Sequence, residues 1–184
     1  MNEGLISKRY AKALFDHAYD LGEETLLYHR MQILESIWQR MPDLKNSLKS
    51  PMITVETKKN LLKNVTGKNA EQSWMDFIDL IVTNHRTDAI YMIALSYQLI
   101  YRKRKRISVV HLISAKKMST MALDRMRRFT EQKTHGKVEF SNHIDPSLVG
   151  GFIYQLDDLQ IDASVKGQLK LISRRLAQIN KSIM

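Results

Sequence analysis

Arg102-Lys-Arg-Lys-Arg106, followed at once by Ile107-Ser-Val-Val-His-Leu-Ile113, is where the chain changes its period. Before the five cations, apolar residues recur at helical spacing; after them, a β-branched run reads as a strand. Cations suit the negative end of a helix dipole. The run therefore reads as the end of one helical half and the seam with a second half built differently. Working back from it, a helix from about Asp88 to Lys105 carries Ile90, Ile93, Ala94, Tyr97, Ile100 and Tyr101. Trp74, Phe77, Ile78 and Ile81 mark the helix before it, which breaks near Asn84-His85. Thr54 is an N-cap for a helix through Leu61, Leu62 and Val65 that ends at Gly67. A short helical turn over Asp43–Leu48 stops before Ser50-Pro51, and Leu27, Met31, Leu34, Trp38 and Met41 run into Pro42. Ile6, Tyr10, Leu14, His17 and Leu21 form the stripe of a first helix that Gly22 ends. About six helices with short connections predict a bundle.

Downstream of the seam, Ser119 to about Lys133 returns to helix, with Ala122, Met126 and Phe129 on one face. Val138, Phe140, Asn142 and Ile144 alternate with Lys137, Glu139, Ser141 and His143 as a half-buried strand would. Gly150-Gly151 lead into a hairpin, Phe152–Leu156 and Leu159–Ile161, turned at Asp157-Asp158 because Asp tolerates the left-handed backbone of a tight turn. A last helix carries Val165, Leu169, Ile172, Leu176 and Ile179. The expected fold class is α+β: residues 1–105 an all-α six-helix bundle, residues 106–184 a small α/β domain.

The composition agrees. The chain has 184 residues, 43% hydrophobic and 26% charged, with 7 Gly and 3 Pro, which excludes collagen-like and low-complexity classes. Without cysteine there is no disulfide framework, thiol nucleophile or thiolate metal site. No stretch approaches the ~20 apolar residues that span a bilayer, and the N-terminus has no signal-peptide core. The chain reads as soluble, intracellular and basic. Its 29 Lys and Arg against 19 Asp and Glu give a net charge of +10, which calls for an acidic partner or surface.

Catalytic patterns are missing. No Gly-Lys pair sits in a phosphate-cradling loop, and His17, His29, His85, His111, His135 and His143 show no metal-binding spacing. His143 with Asp145 could form an acid/base pair, but so close in a strand-to-loop segment they read first as structural. Arg102–Arg106 could neutralise phosphates; a solvated helix end is the plainer reading, since aromatic interleaving stops at Tyr97 and Tyr101. Lys166, Lys170 and Arg174 form a second basic row. Gly150-Gly151 suit a close backbone approach better than a phosphate loop. The Trp74–Ile81 stripe reads as core, although a bundle this small can leave a groove that accepts a partner helix.

Ser7-Lys-Arg-Tyr-Ala-Lys-Ala-Leu-Phe-Asp-His-Ala18 resembles the opening of the delta-subunit family of the rotary ATP synthase, whose mitochondrial homologue is the oligomycin-sensitivity-conferring protein. Ile144-Asp-Pro-Ser-Leu-Val-Gly-Gly-Phe-Ile-Tyr154, with Ile161-Asp-Ala-Ser-Val-Lys-Gly-Gln-Leu169, is similar to the family's C-terminal signature. Asp145, Gly150, Gly151, Asp162, Ser164 and Gly167 carry it, with Ala163 where the family commonly has Gly. The resemblance implies a non-catalytic stator adaptor of the proton-translocating ATP synthase, without cofactor or metal, which keeps the catalytic head from turning with the rotor. It implies a groove between the first and fifth helices for the N-terminal helix of an alpha subunit, carried over to Tyr10, Ala13, Leu14, His17, Phe77, Ile78 and Ile81. It further implies contact of the C-terminal domain with the peripheral stalk b subunits, and a place on the cytoplasmic face of a bacterial inner membrane, with no membrane span, nucleic acid or homo-oligomer. The alternative from the residues alone is a basic nucleic-acid-binding or regulatory adaptor module.

If the period change marks two folding units, a fragment of residues 1–105 folds alone as an almost purely helical protein. Far-ultraviolet circular dichroism checks this, and a largely unfolded fragment would refute the boundary.

Overall fold

A left-handed glycine ends the first helix and sets the path of everything after it. In the computed structural model, which describes residues 3–50, 52–66 and 71–182, α1 spans Glu3–Asp20. Gly22 lies at φ +71°. Its amide donates to the Tyr19 carbonyl at 3.1 Å and the next amide, of Glu23, reaches back to Ala18 at 2.8 Å. This is a Schellman closure, which favours glycine because a Cβ resists that backbone region. The chain then runs through α2 (Glu24–Arg40), α3 (Pro42–Lys49), α4 (Val55–Thr66), α5 (Gln72–Thr83), a 3-10 turn (Thr87–Ala89) and α6 (Ile90–Lys105). Pro42 stands at the first position of α3, where its missing N–H costs nothing. The Thr54 hydroxyl accepts the Thr57 amide at 3.3 Å, so the expected cap of α4 is in place. The expected stop at Gly67 lies outside the described residues.

The chain divides into two compact units, residues 1–104 and 105–184. The core of the first is Leu27, Met31 and Leu34 of α2, Trp74, Phe77, Ile78 and Ile81 of α5, and Ile90, Ile93 and Tyr97 of α6. Burial raises the Tyr97 phenol well above its ordinary range, and its hydroxyl donates to the Glu24 carbonyl at 3.1 Å. Tyr28 stacks on Tyr101 with ring centres 4.2 Å apart.

The stripe expected on α1 is rotated. The buried residues are Ser7, Ala11, Leu14, Phe15 and Ala18; Ile6 and Tyr10 are half-buried, and His17 and Leu21 are exposed. Small residues at 7, 11 and 18 let α1 pack closely, so shape outweighs hydrophobicity in choosing the inner face. The basic run is also partly structural. The Arg102 guanidinium donates to the Tyr28 hydroxyl at 2.9 Å and Arg104 lies over the Phe15 ring.

The second unit is a four-stranded mixed sheet in the order β2-β1-β3-β4. Its strands are β1 (Ile107–Ser114), β2 (Lys137–Ile144), β3 (Phe152–Leu156) and β4 (Leu159–Asp162); α7 (Thr120–Thr134) follows β1 and α8 (Val165–Ser182) follows β4. β1 and β2 are parallel, from Ile107↔Lys137 to Ser114↔Ile144, a pairing that requires the α7 crossover. β3 pairs antiparallel with β1, and β4 with β3 through Asp157, at φ +48°. Ser119 caps α7, accepting the Ala122 amide at 3.2 Å. Val110 and Leu112 are fully buried on the central strand. β2 departs from expectation: Val138, Glu139 and Phe140 are all half-buried, and Asn142 and Ile144 are exposed, because β2 is an edge strand covered only over its first half. Of the last helix's apolar series, Leu176 and Ile179 lie beyond the side chains described.

Gly151 is at φ +76°, and a Cβ there would run into the Ala163 carbonyl. Gly22 has a similar φ but open space around it. Gly22→Ala is expected to cost about 1 kcal/mol, the strain of a left-handed alanine alone. Gly151→Ala adds a backbone collision and is expected to cost at least about 2 kcal/mol. Urea unfolding of the two variants checks the order, and equal losses would contradict it.

Candidate functional site: the groove between α1 and α5

The Schellman turn at Gly22 delivers Glu23 to the start of α5. Its carboxylate accepts the Ser73 amide at 2.9 Å and the Gln72 amide at 3.3 Å, satisfying helix-terminal donors that Glu71, the α5 N-cap residue, leaves to others. The Ser73 amide above all holds the Glu23 carboxyl below its ordinary 4.5. Beside it the Arg30 guanidinium meets the Glu71 carboxylate at 2.5 Å, both nearly buried, and lies 5.9 Å from the Trp74 ring centre. Farther along, His17 Nε2 is 3.0 Å from Asp76 Oδ2, and the Gln72 side-chain Nε2 donates to Asp76 Oδ1 at 2.8 Å. His17 first and Gln72 second lower the Asp76 carboxyl below 3.8. At the opposite end the Asn84 side chain donates to the Tyr10 hydroxyl at 3.3 Å. The two helices run antiparallel and are tied by polar contacts at both ends.

Around the Tyr10–Asn84 tie lies a groove of about 500 Å³, lined by Ile6, Arg9, Tyr10 and Ala13 of α1 with Leu80 of α5 and Arg86 just beyond it. Of the residues singled out from the sequence, Tyr10 and Ala13 line it and His17 stands exposed on the His17–Asp76 tie. Leu14, Phe77, Ile78 and Ile81 are buried, holding the helices against the core and shaping the groove from beneath. Ile6, Arg9, Leu80 and Arg86 were not singled out for the site. A signal existed for one of them: Leu80 is a large apolar residue off the buried 74–77–78–81 stripe, and it is 48% exposed.

The signature residues of the second unit meet around the start of α8. Asp162 Oδ1 accepts the Ser164 amide at 2.9 Å and the Ser164 hydroxyl at 2.6 Å, and Ser164 Oγ accepts the Gly167 amide at 3.0 Å as an N-cap. The Ser164 hydroxyl, then its amide, lowers the Asp162 carboxyl. The Val165 amide donates to the Gly150 carbonyl at 3.0 Å and the Ala115 amide to the Gly151 carbonyl at 3.2 Å. Asp145 accepts the Ser147 amide at 2.9 Å, so its carboxylate caps a turn rather than pairing with His143. These residues hold backbone to backbone. Among the described residues, no group of three or more His, Asp or Glu is placed to hold a metal ion.

The chain is a helical bundle with a surface groove, followed by a small mixed-sheet unit pinned by backbone contacts. Residues 6–176 match the family model "ATP synthase delta (OSCP) subunit", and the chain belongs to that family. It is 34% identical over 182 residues to the ATP synthase subunit delta of Phocaeicola vulgatus, covering 98% of each chain. It is 33% identical to that of Bacteroides thetaiotaomicron over the full length of both. A chain of the Toxoplasma gondii mitochondrial ATP synthase hexamer shares the fold, with a TM-score of 0.72 at 19% identity, covering 96% of this chain and 98% of that one. Family membership makes this chain a non-catalytic stator subunit of a membrane-associated complex, and disfavours the nucleic-acid-binding alternative. Among the described residues no helix is long and apolar enough to cross a membrane.

The lowered carboxyls of Glu23 and Asp76 carry a pH signature. Both are better satisfied as anions in the folded state, so their stabilisation is present above their ordinary values and is lost as pH falls through the lowered ones. The helical unit is expected to weaken below about pH 4.5. Glu23→Gln should be less stable at neutral pH and lose less on acidification, as urea melts at neutral pH and about pH 3 would show.

Proposed function

We propose that the groove between α1 and α5 receives the N-terminal helix of an ATP synthase alpha subunit, and that the second unit meets the peripheral stalk b subunits. The protein then fastens the catalytic head to the stalk on the cytoplasmic face of a bacterial inner membrane, so that rotor torque is spent on ATP synthesis. The observation that carries this reading is the groove itself. Ile6, Tyr10 and Ala13 follow at i, i+4 and i+7 on one side, with exposed Leu80 opposite. That is the spacing by which an apolar helix stripe is gripped.

The second unit supplies apolar surface of its own. Met126, Phe129, Phe152, Tyr154 and Ile161 line a hollow of about 400 Å³. On α8, Leu169 and Ile172 are 59% and 52% exposed, and Lys166, Lys170 and Arg174 are exposed with them. Apolar faces of this kind, with cations alongside, suit the amphipathic helices of a stalk.

Titration of the full chain with a peptide of the alpha-subunit N-terminus tests the groove. Ala13 is exposed and lines it, so Ala13→Leu fills it without touching the core. The variant is expected to keep the wild-type circular dichroism and lose roughly tenfold in affinity, about 1.4 kcal/mol. Unchanged affinity in the folded variant would move the site elsewhere. Retention on DNA at physiological salt, with no peptide binding, would return the basic run to the centre of the function.

A further inference from the structure

Two guanidinium groups stand at the walls of the groove. Arg9 is exposed on α1, next to Tyr10. Arg86 is placed by the turn that ends α5: its amide donates to the Ile81 carbonyl at 2.8 Å and the His85 amide to Val82 at 3.1 Å. His85 makes this second Schellman turn at φ +54° without being glycine. The turn swings the chain off the helix axis and sets Arg86 beside Leu80.

No carboxylate shares that lining. Elsewhere in this unit the acids near cations are already engaged: Glu71 by Arg30, Asp79 by Lys59 at 2.9 Å, and Asp76 by His17 and Gln72. The two α5 acids that follow the helix toward the groove are thus occupied, and Arg9 and Arg86 have no acidic partner among the described residues. An apolar floor between two uncompensated guanidiniums is complementary to one kind of helix. Guanidinium forks pair with carboxylates through two parallel hydrogen bonds.

We infer that the groove selects its occupant by charge as well as by shape: an amphipathic helix whose apolar stripe is flanked by Asp or Glu side chains that pair with Arg9 and Arg86. This rests on the reading of the groove as the alpha-subunit site and adds what that site demands of the helix. A helix with Lys or Arg at the flanking positions meets like charge and is rejected. The pairing also draws the acidic helix in from a distance, so encounter slows as salt rises.

The test uses the full chain as wild type, Arg9→Gln, Arg86→Gln and the double variant, with circular dichroism confirming the fold of each. The probe is the N-terminal peptide of the alpha subunit from the same cell, with a second copy in which Asp and Glu are replaced by Asn and Gln. The native peptide is expected to bind wild type more weakly as salt rises. The double variant should lose roughly tenfold and most of the salt dependence. The neutralised peptide should bind wild type as weakly as the native peptide binds the double variant, and the double variant should show no further loss with it. Wild-type affinity in the double variant at low salt, or tight binding of the neutralised peptide, overturns the charge reading while the groove stands if Ala13→Leu still weakens binding. A native peptide that binds no form of the chain overturns the groove reading and this occupant together.

Discussion

The carboxylate of Glu23 at the first amides of α5 is the contact on which the helical unit's working surface depends. A helix begins with donors that nothing inside it satisfies, and α5 takes its acceptor from the turn that closes α1. Such a cap contributes about 1 kcal/mol by itself. Its larger effect is positional. Because Glu23 follows the Gly22 turn directly, the start of α5 cannot drift from the end of α1 without losing the acceptor of its first amides. The nearly buried Arg30–Glu71 pair reinforces the same corner, and breaking one partner of such a pair typically costs several kcal/mol. With that corner fixed and Asn84 tied to Tyr10 at the other end, the space between the helices has a set width.

This arrangement explains which parts of the fold could be read from the chain. The change of period at Arg102–Arg106, the punctuation by Gly22, Pro42 and Thr54, and the Asp157-Asp158 hairpin are local signals, and the elements lie where those signals put them. The inner face of α1 was not local. Ser7 and Ala11 are buried because a neighbouring helix comes close, while larger Ile6 and Tyr10 are left at the flank. The same displacement explains the site. Leu14, Phe77, Ile78 and Ile81, carried over to the groove by the family resemblance, are the residues a core claims first. What faces outward is the adjoining row, Ile6, Tyr10, Ala13 and Leu80, and Arg86 enters through a turn whose left-handed residue is a histidine. Glu23 as a cap for a helix forty-nine residues away has no signature in the chain at all.

The two units divide the labour differently. In the helical unit, the residues shaping the groove are side chains over a side-chain core. In the sheet unit, the diagnostic residues are Asp162 and Ser164 capping α8, Gly150 and Gly151 lending carbonyls to neighbouring segments, and Asp145 closing a turn. They bind one stretch of backbone to the next, and leave the apolar and basic faces of α7 and α8 to meet what lies outside.

That division bears on how such chains are recognised and how they diverge. The residues by which the C-terminal half is known by sequence sit where main chains touch, and a substitution at Gly151 would be felt by the fold before any partner felt it. Exposed Leu80 on α5 and Leu169 and Ile172 on α8 sit at no such main-chain contact, so substitution there spares the backbone. Such positions are free to vary while the chain stays plainly recognisable as kin.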